Sequence, residues 1–229
     1  MNRTIPSLIE WSMMPISAVS FDMDGTLAEV HRRQLGMWPG LLRYPRALTA
    51  LKGGFDAWRG RRCLDLDAAV LDDLHRQRGI SRKRLEGALS AEMDGRWPAL
   101  FQNAPLLPAA AALLKALSDR QVPVALVSDY PGLTKLEGLG IAMPIVISCR
   151  ALGALKPLPD ALHAAASQLG VPTSQLLHVG DRWDTDGRAA AAAGCHFRHI
   201  DNIDPDNPME GLLLSADRKV PSGLRPDTV

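Results

Sequence analysis

The sequence predicts an α/β fold with a Rossmann-like parallel sheet as its core and an α-helical region inserted after the first strand. Two observations predict it: short apolar runs alternate with helical patterns, and this alternation is interrupted over residues 31–100. Nearly continuous apolar strands are typical of a parallel sheet that is covered on both faces. The chain of 229 residues, of which 46% are hydrophobic, is long enough to bury such a core.

Five apolar runs are predicted as strands, and four helical patterns separate or follow them. The strands are ISAVSF (16–21), VPVALVSD (122–129), PIVIS (144–148), QLLHVGD (175–181) and CHFRHI (195–200). The helices are residues 108–120, 132–140, 159–170 and 185–194. Gly170 and Gly194 stand at the ends of two of these helices, where glycine commonly terminates a helix.

Residues 31–100, where the alternation of strands and helices is interrupted, are predicted to form a helical cap domain. It would lie between the two parts of a core domain at 14–30 and 101–204. Its three helical patches are LLRYPRALTALKGG (41–54), LDLDAAVLDDLHRQRG (64–79) and SRKRLEGALSAEM (81–93). Basic residues outnumber acidic ones there. We expect most of these charges to lie on solvated helix faces, whereas a few basic residues that face the core could attract an anionic substrate. Residues 205–229 are predicted to be a weakly structured tail with one short helix at 209–216.

Composition predicts a cytoplasmic protein without a nucleic-acid or membrane partner, and the sequence leaves open whether it is a monomer or a homodimer. The formal net charge is only +1, so no global charge favours nucleic acid or an acidic surface. Cys63, Cys149 and Cys195 are too few and too widely spaced for a disulfide framework, as expected in a reducing compartment. The first 15 residues lack a continuous apolar segment, so we expect no signal peptide.

Polar residues follow the carboxyl ends of the predicted strands, the edge at which open parallel sheets bind ligands. They are Asp22, Asp24, Thr26, Ser128, Asp129, Lys156, Asp181, Asp184 and Asp186. Two carboxylates one residue apart disturb each other's titration, and a divalent cation would offset that cost. Carboxylate oxygens suit Mg²⁺, and a nearby lysine and hydroxyl would complete a cradle for a phosphoryl group.

Four short motifs carry these residues. They are DMDGT (22–26), VSD (127–129), LKP (155–157) and GDRWDTD (180–186). In order and spacing they resemble the motifs of the haloacid dehalogenase (HAD) superfamily of phosphohydrolases. The resemblance covers residues 14–30 and 105–200, and the insert resembles the C1-type cap of that superfamily. It implies a HAD fold and a Mg²⁺-dependent phosphatase that hydrolyses a small phosphorylated metabolite through an aspartyl phosphate.

The first motif would supply the reacting carboxylates. The resemblance implies that Asp22 is the nucleophile and a metal ligand. Asp24 would be the general acid for the leaving oxygen and then the base for water, and its backbone carbonyl would ligate Mg²⁺. Gly25 would permit the turn that follows, and Thr26 would support this phosphate-binding loop through its hydroxyl.

The other motifs would bind the phosphoryl group and complete the metal site. Ser128 would hydrogen-bond a phosphoryl oxygen, and Lys156 would offset the charge of the phosphoryl group and the nucleophile. Asp129 is also expected at the phosphate site, although relatives often carry asparagine there, so this loop could present its site differently. Asp181 would ligate Mg²⁺, and Asp186 would be a ligand or would orient one.

Other polar and aromatic residues receive no catalytic role. Asp184 does not match the usual acidic positions of the fourth motif. His178, His196 and His199 are expected to be structural, and Trp183 is expected either to line the mouth of the site or to pack against the cap. Basic residues that could bind a second anionic group of the substrate are Arg32, Arg33, Arg61 and Arg62.

Several alternative functions are compatible with parts of the pattern. A sugar-phosphate mutase or phosphotransferase would retain Asp24, whereas a dehalogenase lacks the second aspartate, and a phosphonate hydrolase is a further relative. A response-regulator receiver would carry its phosphoacceptor on a later strand, but the third strand here leads into ISCR (147–150) without an aspartate. A catalytically silent HAD-like binding module is disfavoured because every residue that the chemistry needs is present.

Overall fold

A computed structural model describes residues 15–28, 45–212 and 214 of the chain. Five strands form one parallel sheet in the order β3–β2–β1–β4–β5. The strands are β1 Ala18–Phe21, β2 Val124–Ser128, β3 Val146–Ser148, β4 Leu176–Gly180 and β5 His196–His199. Each lies within a predicted strand, and β1 is central and fully buried. The predicted α/β fold with a parallel sheet is confirmed.

Residues 45–99, which we call the insert, are helical apart from the connections at 58–65 and 79–81. Its helices are α1 Pro45–Ala57, α2 Leu66–Arg78, α3 Arg82–Ala88, a π-helix at Leu89–Arg96 and the short α4 Trp97–Ala99. Helices α1 to α3 fall on the three predicted patches, of which residues 41–44 lie outside the described residues. The division into core and cap domains remains a prediction.

Helices also separate the later strands. They are α5 Pro108–Asp119, α6 Leu133–Leu139, α7 Asp160–Leu169 and α8 Arg188–Ala193. Gly170 and Gly194 end α7 and α8, as predicted. Residues 209–212 form turns rather than the start of the predicted helix at 209–216, and the rest of the tail lies outside the described residues except Leu214, which pairs with Ile16.

Apolar side chains cover both faces of the sheet. On one face Val19 and Phe21 of β1 pack with Leu113 of α5. On the other face Ala18 belongs to a cluster that continues through α7 and into the insert, where it includes Leu51. The insert therefore shares its apolar core with one face of the sheet.

Polar contacts form a seam between the insert and the core. The N–H of Cys63 donates to the carbonyl of Gly153 at 2.9 Å, and a side chain at position 153 would overlap that region of the insert's backbone. Arg150, which follows β3, pairs with Asp67 at 2.6 Å and with Asp94 at 2.5 Å. We call these five residues the seam.

A helix that spans a membrane must be long and apolar. Among the described residues no helix has both the length and the apolarity that this requires.

Candidate active site

The parallel strands bring the predicted site residues to one edge of the sheet. Asp22 directly follows β1, and its N–H donates to the carbonyl of Val179 in β4 at 2.8 Å. Ser128 is the last residue of β2, and Asp181 directly follows β4. Because the carboxyl ends of parallel strands lie at the same edge, residues that are more than 100 positions apart in the sequence become neighbours there.

Lys156 joins two carboxylates of this edge. Its Nζ donates to Oδ1 of Asp22 at 2.5 Å and to Oδ1 of Asp186 at 2.6 Å, and it also contacts the carbonyl of Val127 at 3.3 Å. The Lys156 side chain is only 3% exposed. Buried charges are tolerated only when they are paired and hydrogen-bonded, so the ammonium group and the carboxylates depend on one another.

The protonation of this cluster is uneven. Burial raises the pKa of Asp22 to about 7, although Lys156 opposes the effect. Burial alone would also raise the pKa of Asp186, but the charge of Lys156 and a hydrogen bond from His178 hold it well below its ordinary value. Asp22 is therefore the carboxylate that most needs a further positive charge to remain ionised at neutral pH.

A metal ion would supply that charge, and the residues present fit one. Carboxylate oxygens of Asp22, Asp181 and Asp186 lie within 4.8 Å of one another. The pKa of Asp181 is raised by burial and by the charge of Asp186, which again shows unbalanced negative charge. Three carboxylates and no sulfur or nitrogen ligand form the donor set that Mg²⁺ prefers.

The absence of a side chain at Gly25 leaves room for this cluster, which gives a first prediction. Its φ is 84°, and a methyl group there would overlap Oδ2 of Asp181. We expect Gly25→Ala to displace the Asp181 carboxylate and to weaken Mg²⁺ binding about tenfold or more, as measured by titration calorimetry. Gly60 is the matched control, since its φ is 80° but nothing lies near the added carbon.

Gly60→Ala carries the backbone strain alone and should cost about 1 kcal/mol of stability without changing Mg²⁺ affinity. Equal Mg²⁺ affinity of the Gly25→Ala and Gly60→Ala proteins would contradict the assignment of Asp181 as a ligand.

Two hydroxyl groups complete the edge. Thr26 Oγ1 donates to Oδ2 of Asp22 at 3.4 Å. Ser128 Oγ is buried and has no hydrogen-bond partner within the described part of the chain. An unpaired buried hydroxyl costs free energy, so the Ser128 hydroxyl is available to a bound group, and its contact with a phosphoryl oxygen stays a prediction.

Asp129 connects the second and third motifs with the insert. Its Oδ1 accepts from the N–H of Lys156 at 3.0 Å, and its Oδ2 accepts from Nη1 of Arg59 at 2.6 Å. Arg59 also donates to the carbonyl of Lys156 at 2.6 Å. The structure therefore uses the Asp129 carboxylate to hold the Lys156 loop, and its predicted contact with phosphate remains untested.

Asp24 makes contacts that the sequence did not predict. Nζ of Lys135, in α6, donates to its two carboxylate oxygens at 2.5 and 2.7 Å. Nε1 of Trp97 donates to Oδ1 at 3.4 Å. In the sequence Lys135 is one polar position of a short helix, and no local signal separates it from a surface lysine.

His178 is structural, as predicted, but it supports the site. Its Nδ1 lies 3.0 Å from Oγ of Ser20 and its Nε2 lies 3.4 Å from Oδ1 of Asp186. The ring is fully buried, and burial lowers its pKa. His178 thus orients a site carboxylate as a neutral ring.

Trp183 packs on the rings of β5, and its side chain is largely exposed. Its ring meets Phe197 edge to face at 4.8 Å and stacks on His199 at 5.9 Å. Asp184 is exposed and pairs with Arg182 at 2.7 Å, in agreement with its exclusion from the predicted site.

The basic residues suggested for a second anionic group have other contacts or lie outside the described residues. Arg62 pairs with Asp160 of α7 at 2.7 Å, and Arg61 stacks over the ring of Trp58 at 5.3 Å. Arg32 and Arg33 fall among the residues that the structure does not describe.

Known proteins are similar to this chain in sequence and in architecture. A sequence model of haloacid dehalogenase-like hydrolases matches residues 16–194. A phosphoglycolate phosphatase of Shigella dysenteriae serotype 1 (strain Sd197) is 38% identical over 206 residues, which cover 79% of each protein. The 5-amino-6-(5-phospho-D-ribitylamino)uracil phosphatase YigB of Escherichia coli (strain K12) is 29% identical over 200 residues, covering 78% of this chain and 81% of that protein.

A solved structure agrees with the fold. A predicted phosphoglycolate phosphatase from Haemophilus somnus 129PT superposes with a TM-score of 0.57 at 21% identity, covering 87% of this chain and 92% of that one. The match over residues 16–194 includes all four motifs, and the predicted class of enzyme, a HAD-like phosphohydrolase, is confirmed. The chain belongs to the haloacid dehalogenase-like hydrolases.

Proposed function

We propose that this protein is a Mg²⁺-dependent phosphatase that hydrolyses a small phosphorylated metabolite through an aspartyl phosphate on Asp22. The observation that carries the proposal is the contact of the buried Lys156 ammonium with Asp22. It stands at a sheet edge that also holds the unpartnered Ser128 hydroxyl and a cluster of three carboxylates.

The chemistry is a double displacement. A carboxylate oxygen of Asp22 attacks phosphorus and the ester oxygen departs, taking a proton from Asp24. Asp24, now deprotonated, then takes a proton from a water molecule that attacks the aspartyl phosphate. The P–O bond to Asp22 breaks, inorganic phosphate leaves, and both carboxyl groups return to their starting states.

The surrounding residues stabilise the negative charge of the phosphoryl group as it is transferred. Lys156, whose Nζ contacts Asp22, would also bond a phosphoryl oxygen, and the unpartnered Ser128 hydroxyl would donate to another oxygen. Asp22, Asp181 and Asp186 would hold Mg²⁺, with the Asp24 carbonyl as a further ligand. A bound Mg²⁺ would add positive charge beside the phosphoryl group.

The relatives support a phosphomonoester as the substrate. The similar phosphatases of Shigella dysenteriae and Escherichia coli act on phosphoglycolate and on a phosphorylated ribitylaminouracil, respectively. These substrates share the phosphate ester and differ in the alcohol that carries it. The proposal for this chain therefore extends to small phosphate esters as a class.

Activity towards a panel of phosphorylated metabolites and p-nitrophenyl phosphate tests the proposal. We expect phosphate release to stop in EDTA and to return when excess Mg²⁺ is added, because the carboxylate cluster would otherwise repel the phosphoryl group. Wild-type protein that is inert towards every ester would favour a silent binding module. Isomerised sugar phosphate that forms only with a bisphosphate activator would favour a mutase.

A further inference from the structure

Lys135 is a buried cation that the chemistry proposed above does not use. Among the lysines that the structure describes, only Lys135 and Lys156 are buried, and Lys135 is 1% exposed. A lysine is almost never buried this fully unless its charge is paired. Its partner is Asp24, whose side chain is 36% exposed.

Aromatic rings fix the Lys135 ammonium in place. Its Nζ lies 4.9 Å from the centre of the Phe101 ring and 5.9 Å from that of Trp97. A cation over the face of an aromatic ring is attracted to it, more strongly where water is excluded. The same Trp97 donates its indole N–H to Asp24 at 3.4 Å. Two neighbouring donors therefore form hydrogen bonds with one carboxylate.

Both donors also line a cavity of about 240 Å³ between the insert and the core. Its described lining is Leu48, Thr49, Lys52, Met93, Trp97, Tyr130 and Lys135. The ester oxygen leaves on the side of phosphorus opposite Asp22, and Asp24 must reach that oxygen to protonate it. A cavity bounded by the two residues that hold Asp24 is placed to receive the alcohol part of the ester.

We propose that Lys135 is a positioning residue for Asp24, which it holds at the edge of the cavity where the leaving group binds. The inference rests on the proposed phosphatase function and adds the residue that orients the proton donor Asp24. The Lys135 ammonium contacts the proton donor Asp24, whereas the Lys156 ammonium contacts the nucleophile Asp22. The loss of Lys135 should therefore matter in proportion to the need of the leaving oxygen for a proton.

The test is a series of aryl phosphates whose phenols differ in acidity, from p-nitrophenyl to p-methoxyphenyl phosphate, with Lys135→Met. Methionine keeps an unbranched side chain over Phe101 and removes the charge. A leaving p-nitrophenolate needs little protonation, so we expect kcat/KM for that ester to fall less than about threefold. For the least acidic phenol we expect a fall of about tenfold to hundredfold, since general acid catalysis contributes this much or more.

Controls separate positioning from folding. Lys52→Met removes an exposed lysine that lines the same cavity and makes no hydrogen bond to Asp24, and it should leave the dependence on phenol acidity unchanged. Lys135→Gln retains a donor and should give an intermediate dependence, and it replaces Lys135→Met if that protein does not fold. In an Asp24→Asn background, Lys135→Met should add no further dependence on the leaving group.

Equal losses for all esters, or faster cleavage of the least acidic ones, would overturn the positioning role while leaving the phosphatase function intact. Wild-type protein without activity towards any ester would instead overturn the proposed function and this inference with it.

Discussion

Replacing Asp22 by asparagine is expected to lower kcat by about 10⁴-fold or more, because an amide cannot form the phosphoryl ester through which turnover proceeds. The substitution keeps the shape of the side chain, so the loss should not come from misfolding. Acid-quenched wild-type enzyme, incubated with a labelled phosphate ester, should carry label on the peptide that contains Asp22. The Asp22→Asn protein should carry none.

Stability measurements provide the folding control for this variant. Burial raises the pKa of Asp22 from 3.8 to about 7, so the folded protein binds a proton that the unfolded chain has already released in that range. The contribution of Asp22 to the free energy of unfolding in EDTA should therefore fall as pH rises from about 4 to 7, and it is measured as the difference between wild type and Asp22→Asn. Asp22→Asn lacks this contribution and should be at least as stable as wild type above pH 7.

Asp184→Asn is the matched activity control. It makes the same chemical change at an exposed carboxylate of the fourth motif, 65% exposed and paired with Arg182, and should retain wild-type kcat. Labelled phosphate on any residue other than Asp22, or an Asp22→Asn protein as active as the Asp184→Asn protein, would contradict the nucleophile assignment.

Lys156→Met is expected to abolish activity and to destabilise the protein by about 3–5 kcal/mol, since it leaves Asp22 and Asp186 buried without their shared counter-charge. Chemical denaturation in EDTA measures the loss. Added Mg²⁺ should restore more stability to this variant than to wild type, because the ion would bring positive charge to the same two carboxylates.

Lys115→Met is the control for loss of a lysine ion pair. Lys115 pairs with Asp119 on the exposed surface of α5, and its loss should change stability by no more than about 0.5 kcal/mol. A Lys156→Met protein that is as stable as the Lys115→Met protein and still active would show that the pairing with Asp22 is not needed.

Much of this site could be predicted because its parts are local. Asp22 and Asp181 follow strands whose apolar runs are easily recognised, and parallel strands bring such ends together whatever lies between them. The short motifs also supplied an order that few other proteins share. One cluster in the structure consequently contains Asp22, Lys156, Asp181 and Asp186, whereas the Asp24 carboxylate is held by other residues.

Contacts between residues that are distant in the sequence could not be predicted in this way. Lys135 is buried because Phe101 and Trp97, more than 30 residues earlier, lie over it, and nothing in its own helix indicates this. Arg59 was one of many basic residues of the insert, and its contact with Asp129 depends on how the insert packs. Trp183 was expected to line the mouth of the site or to pack against the cap, and its contact with the rings of β5 depends on the order of strands in the sheet.

The seam between Cys63, Gly153, Arg150, Asp67 and Asp94 attaches the insert to the core. The insert can separate from the core as a rigid body only if a backbone hydrogen bond and two ion pairs to the largely buried Arg150 break together. Salt screens partly buried ion pairs much less than exposed ones. The attachment of the insert therefore depends only weakly on the ionic strength of the solution.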